Sequence, residues 1–165
     1  MLTTPEVPVY TSYYGNKKLY TGEYVIINIA RKQPNWVTEP FPTFYDAVPS
    51  YLTLSNWYRS NKEENDIAKY ISQYYSTTLC AHGESSPSVH TSRLLALTME
   101  SKFHHGEKPI VFTCYEAPGK FCHRRVYATY LELISGIIIP ELGYDYKNSN
   151  SIEEILKKLI KGESL

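Results

Sequence analysis

The stretch PIVFTCYEAPGKFCHRRVYATYL, residues 109–131, decides how the chain is read. Its first six residues, Pro109 to Cys114, are apolar or β-branched over a length too short for a helix, the pattern of a strand buried on both faces. From Lys120 to Ile134 the apolar positions Val126, Tyr127, Tyr130, Leu131 and Ile134 recur at helical spacing. A strand, a loop and a helix in that order form the unit with which α/β proteins bind anions. Ligands collect beyond the carboxyl ends of the strands, where the first N–H groups of the following helix are unpaired.

Upstream, residues 7–14 (VPVYTSYY) alternate like a strand and stop at the turn signal Gly15-Asn16. Tyr24 to Ala30 is nearly continuous in apolar character, a second buried strand that Pro34 closes. Four prolines and no helical period between Pro34 and Pro49 predict an irregular loop, pinned by Trp36, Phe41, Phe44 and Tyr45. Helical spacing returns over about Ser60 to Thr78 and again over Ser88 to Phe103. An amphipathic helix over Ser151 to Lys161 is opened by the capping-box pattern Ser151-Ile152-Glu153-Glu154 and closed at Gly162. Strands separated by helices predict one α/β domain over residues 1–165. Its expected architecture is three-layered and Rossmann-like, a mainly parallel sheet of about four strands flanked by helices, with 135–165 as a helical extension.

Composition narrows the function classes. Seventeen basic and seventeen acidic side chains give a formal net charge of zero, so no global field draws in duplex nucleic acid or anionic lipid and an anion site must be local. The N-terminal segment lacks the basic flank and apolar run of a leader, and the longest apolar run is interrupted by Glu132, Ser135 and Pro140. Three cysteines, an odd number, fit reduced thiols better than a disulfide framework. A cytoplasmic protein without a membrane partner is expected.

Chemistry concentrates in residues 114–125, CYEAPGKFCHRR. A zinc finger is excluded by spacing, since Cys114 and Cys122 have seven residues between them and His123 follows Cys122 directly. Neighbours on a helix point about 100° apart, so Cys122 and His123 are expected not to share a metal; a composite site of Cys80, His82, Cys114 and Cys122 stays open. Cys114 ends a strand close to a helix N-terminus, which suits a nucleophilic thiol. Phosphatase-type loops, however, return an arginine sooner than Arg124 arrives here. An anion cradle fits best, with His123 and Arg124 as donors and Glu116 as general acid, general base or nucleophile. Arg31, trailing the second strand, and Tyr13, ending the first, are placed at the same crevice, and sixteen tyrosines supply surfaces for stacking.

The 109–131 stretch resembles the signature of the DUF488 family, a strand ending in Cys-x-Glu followed by Cys-His-Arg at the start of a helix. VYTSYYGNKKL resembles that family's opening strand and Gly-Asn turn, IINIARKQP its second strand, and AVPSYLTL with YISQYYSTTL its proline turn and tyrosine-bearing helix. The similarity spans about residues 7–134 in order. Many members carry Asp-x-Arg after the second strand, where this chain has Asn28-Ile29-Ala30-Arg31. The resemblance implies a small α/β fold and marks Cys114, Glu116, Cys122, His123 and Arg124; it supplies no reaction.

The expectation is therefore a hydrolytic enzyme acting on a nucleotide or nucleobase-containing substrate, through N-glycosidic or phosphoester cleavage. Catalysis falls to Glu116, Cys114 and His123, and substrate binding to Arg124, Arg31, Tyr13 and Cys122, with no metal and no cofactor. The alternatives are a non-catalytic module for a nucleotide or single-stranded nucleic acid, and a structural zinc protein.

Overall fold

The computed structural model describes residues 4–146 and 150–165. The first three residues of the segment read as lacking a leader lie outside it. Three strands, β1 (Val9–Tyr13), β2 (Val25–Asn28) and β3 (Ile110–Cys114), form a parallel sheet in the order β1-β3-β2. The expected sheet of about four strands is therefore corrected to three among the described residues. Only single bridges, Thr11 to Glu141 and Asn28 to Thr43, extend it beyond its two edges.

All five residues of β3 are buried, as its unbroken apolar run requires of a strand with neighbours on both sides. The register pairs Val9 and Val25 with Ile110, Tyr13 with Cys114, and Asn28 with Thr113. The carboxyl ends of the three strands thus finish level, and the segments that leave them start from one edge of the sheet.

Five α-helices surround the sheet among the described residues: α1 (Tyr51–Arg59), α2 (Glu64–Tyr74), α3 (Ser86–His104), α4 (His123–Ser135) and α5 (Asn150–Ile160). The single helix expected from Ser60 is two helices. Ser60 Oγ donates to Trp57 O and closes α1, Lys62 takes a positive φ of 61°, and the Glu63 N–H donates to Asp66 Oδ2 at the start of α2. A π-helical turn, Tyr75–Leu79, then ends the α2 rod. α4 starts at His123 rather than near Lys120, because Cys122 is extended (φ −151°, ψ 142°) and serves as the N-cap. Gly136, left-handed at φ 73°, ends it.

Phe112 of β3, Val126 and Tyr127 of α4, Leu94 of α3, Ile71 of α2 and Leu156 of α5 share one apolar core. The C-terminal helix therefore joins the body through Leu156. It begins at Asn150, one residue ahead of the expected cap, so Ser151 lies inside the helix. No helix among the described residues is long and apolar enough to cross a membrane.

Candidate functional site

Beyond the level ends of the strands lies a cavity of about 690 Å³, the size range of pockets for small organic ligands. Three chain segments reach it directly from the sheet: Ala30-Arg31-Lys32 after β2, Cys114-Tyr115-Glu116 at the end of β3, and Phe121-Cys122-His123 at the entry to α4. The helix pair α1 and α2 closes the opposite side.

Sequence chemistry explains how the first segment is held. Asn28 ends β2 with its side-chain amide turned inward: Nδ2 donates to Ala30 O (2.8 Å) and to Thr43 Oγ1 (3.0 Å), while Oδ1 accepts from Ala30 N (3.0 Å) and from the Tyr14 hydroxyl. The bend that follows presents Arg31 at the mouth. Its Nε donates to Pro49 O (3.0 Å) and its guanidinium stacks 4.0 Å from the centre of the Tyr51 ring.

The inner end of the cavity is made of Cys114, Cys122 and His123, all buried. His123 Nε2 lies 2.7 Å from Ile29 O, and a carbonyl only accepts, so Nε2 carries the ring proton. Nδ1 then presents its lone pair to Cys114 Sγ, 3.6 Å away. Burial, with the neighbouring Cys122, pushes the Cys114 thiol well above its ordinary value. Burial would raise Cys122 as well, but hydrogen bonding from Cys114 and the charge of Arg124 hold it well below.

Around the mouth the side chains are exposed and charged: Arg31, Lys32 and Arg59 against the carboxylate of Glu116. A chain of zero net charge therefore concentrates positive charge at one opening. The wall between mouth and inner end is aromatic. Trp57, Tyr70 and Phe121 meet with ring centres 5.0–5.6 Å apart, and Tyr51, Tyr58 and Tyr115 continue the surface outward.

Five of the seven residues singled out from sequence line this cavity: Arg31, Cys114, Glu116, Cys122 and His123. Tyr13 does not; its ring edge covers Gly15, where an added Cβ would meet it at 3.0 Å. Tyr14 instead joins the apolar cluster of Cys114, Cys122 and Ala30. Burial and the nearby Cys114 raise its pKa, so its hydroxyl stays neutral.

Arg124 is also kept from the cavity. It is fully buried, with Nε 3.1 and 3.2 Å from the two oxygens of Glu141, Nη2 2.9 Å from Oε1, and Nη1 donating to Glu116 O at 2.5 Å. Burial works against its charge, whereas Cys122 and Glu141 favour it, and the net effect raises its pKa. Arg124 holds the backbone of the Glu116 loop.

The expectation that Cys122 and His123 diverge is corrected too. Helical divergence does not apply to an extended N-cap residue, and the ligating atoms of Cys114, Cys122 and His123 all lie within 4.8 Å of one another. The α1 wall went unread in the sequence. Its signal was Ser50 after Pro49, whose hydroxyl accepts from Thr53 N (3.1 Å) as an N-cap. No family model, curated protein or solved structure matches the chain.

Proposed function

We propose that the protein is a hydrolase acting on a nucleotide or nucleobase-containing substrate bound in this cavity. One observation carries the proposal: a single cavity combines three cations and one carboxylate at its mouth, an aromatic wall, and a thiol–imidazole pair at its inner end. The phosphate is held at the mouth by Arg31, Lys32 and Arg59, with Arg31 preoriented by Pro49 and Tyr51. The base stacks on the aromatic surface between Trp57 and Tyr115, a contact worth about 1–3 kcal/mol per base and tolerant of base identity. Glu116 is the acid, base or nucleophile for N-glycosidic or phosphoester cleavage, its loop fixed from behind by Arg124. Membership of the DUF488 family, suggested by the Cys-x-Glu and Cys-His-Arg residues, and a cytoplasmic setting that keeps the thiols reduced belong to the same proposal.

Calorimetric binding and turnover measured over a panel of nucleotides and nucleosides test it, with wild type and Glu116→Gln side by side. The expected result is binding by both proteins and turnover by wild type alone. Absence of binding and of turnover across the panel overturns the proposal. Binding without turnover by wild type supports instead a non-catalytic module for a nucleotide or a short single strand. A steep fall of affinity with salt then marks the strand, because several phosphates are contacted.

A further inference from the structure

We propose that Cys114, Cys122 and His123 form a zinc site with three protein ligands, its fourth coordination position opening into the cavity. The inference is independent of the nucleotide reading and rests on four features of the inner end.

The first is ligand geometry. Zinc sits about 2.3 Å from a thiolate sulfur and about 2.0–2.1 Å from an imidazole nitrogen. In a tetrahedral site those bonds set the sulfur and nitrogen about 3.5 Å apart and two sulfurs about 3.8 Å apart. Cys114 Sγ and His123 Nδ1 lie 3.6 Å apart, and the three ligating atoms fall within 4.8 Å of one another. Small side-chain rotations suffice to seat the ion.

The second feature is the tautomer. A metal-bound histidine as a rule donates its other ring N–H to a carbonyl or carboxylate, which fixes the ring and aims its lone pair. The Nε2 contact to Ile29 O, at 2.7 Å, is that arrangement, and it leaves Nδ1 directed at Cys114.

Charge is the third. Two thiolates and a neutral imidazole around Zn²⁺ sum to zero, so the occupied site avoids burying a net charge among Tyr14, Ala30, Val37 and Phe41. The guanidinium of Arg124, whose charge acts on both thiols, is already paired with Glu141. Binding is balanced by loss of one proton from each thiol; His123 Nδ1 has none to lose.

The fourth feature is the ligand count. Structural zinc sites close with four protein ligands, whereas sites that act on substrates keep one position for water or substrate. Only these three ligands gather among the described residues, and all three line the cavity. Two thiolates and an imidazole select zinc over magnesium or calcium, which take oxygen ligands.

Cobalt substitution tests the proposal. Reduced protein stripped with chelator is titrated with Co²⁺, read by its ligand-field and thiolate charge-transfer absorption, and the cobalt is then displaced by Zn²⁺. The expected result is one tetrahedral cobalt per chain with thiolate charge transfer, and displacement by one equivalent of zinc. Cys114→Ser, Cys122→Ser and His123→Ala should each weaken zinc binding at least about 100-fold, while Cys80→Ser leaves it unchanged. Because a substitution at the inner end can unfold the protein, X-ray absorption of zinc-loaded wild type supplies the second measurement: two sulfurs and one imidazole in the first coordination shell. Octahedral cobalt without charge transfer, zinc bound through Cys80, or a wild type that takes up no zinc each overturns the site.

Discussion

Glu141→Gln removes the charge that neutralises Arg124, and its cost can be worked from the geometry. The carboxylate receives Nε on both oxygens at 3.1 and 3.2 Å, lies 2.9 Å from Nη2, and accepts the Thr11 hydroxyl at 2.5 Å. Both side chains of the pair are fully buried, so water cannot replace the lost charge. Removing one partner of a buried ion pair costs about 3–5 kcal/mol. An amide keeps the shape and one acceptor oxygen, which places the expected loss near the lower end, about 3 kcal/mol. For a chain of this size each kcal/mol moves Tm by about 2–4 °C, so a fall of roughly 6–12 °C is expected. Thermal unfolding followed by circular dichroism, with urea midpoints as a second probe, provides the measurement. The double variant Arg124→Met, Glu141→Leu should recover most of the loss, because an apolar pair carries no desolvation penalty. A small residue remains, since Glu116 O loses its donor. A Glu141→Gln loss below about 1 kcal/mol, or a double variant as unstable as the single one, would refute the assignment of Arg124 as an internally neutralised support.

Two further outcomes are expected. His90 is buried between the Tyr127 hydroxyl and Leu79 O, each 3.1 Å from a ring nitrogen, and burial lowers its pKa below 6.5 even though Asp46 pulls it upward, with His82 and Arg93 adding to the lowering. The unfolded chain then takes up a proton that the folded one refuses, so stability falls as pH drops from about 6.5 towards the lower folded value and levels off beneath it. Urea midpoints at pH 7.5 and 5.5 should differ more for wild type than for His90→Gln. Trp57 lines the cavity wall and Trp36 does not, so nucleotide binding should quench fluorescence in Trp36→Phe and leave Trp57→Phe silent. Quenching that follows Trp36 instead would place the ligand elsewhere.

What the sequence disclosed follows the physics of each segment. β3 was legible because both its faces are buried and five apolar or small residues announce that directly. Its end, loop and helix put four of the seven chosen side chains at one cavity, and Arg31 reaches the same cavity from the level end of β2. α1 was not legible: Tyr51, Leu52 and Tyr58 are largely exposed, so the helix shows no core stripe and only Ser50 marks its start. Arg124 was misplaced because its partner, Glu141, comes after the end of α4 and no local pattern links them. The Cys122–His123 pair was misjudged by applying helical geometry one residue too early.

The sheet order bears on how the chain acquires its structure. β1 and β2 pair only with β3, never with each other, and the central strand is the last of the three to be synthesised. Until Cys114 has emerged, the two earlier strands have no strand to pair with, and β2 has only its single bridge to Thr43. Parallel pairings across such long separations are slow to close, and unpaired strands are the species that aggregate. The segment that completes the sheet also delivers Cys114, Cys122 and His123, so the sheet and the inner end of the candidate site depend on the same stretch of chain.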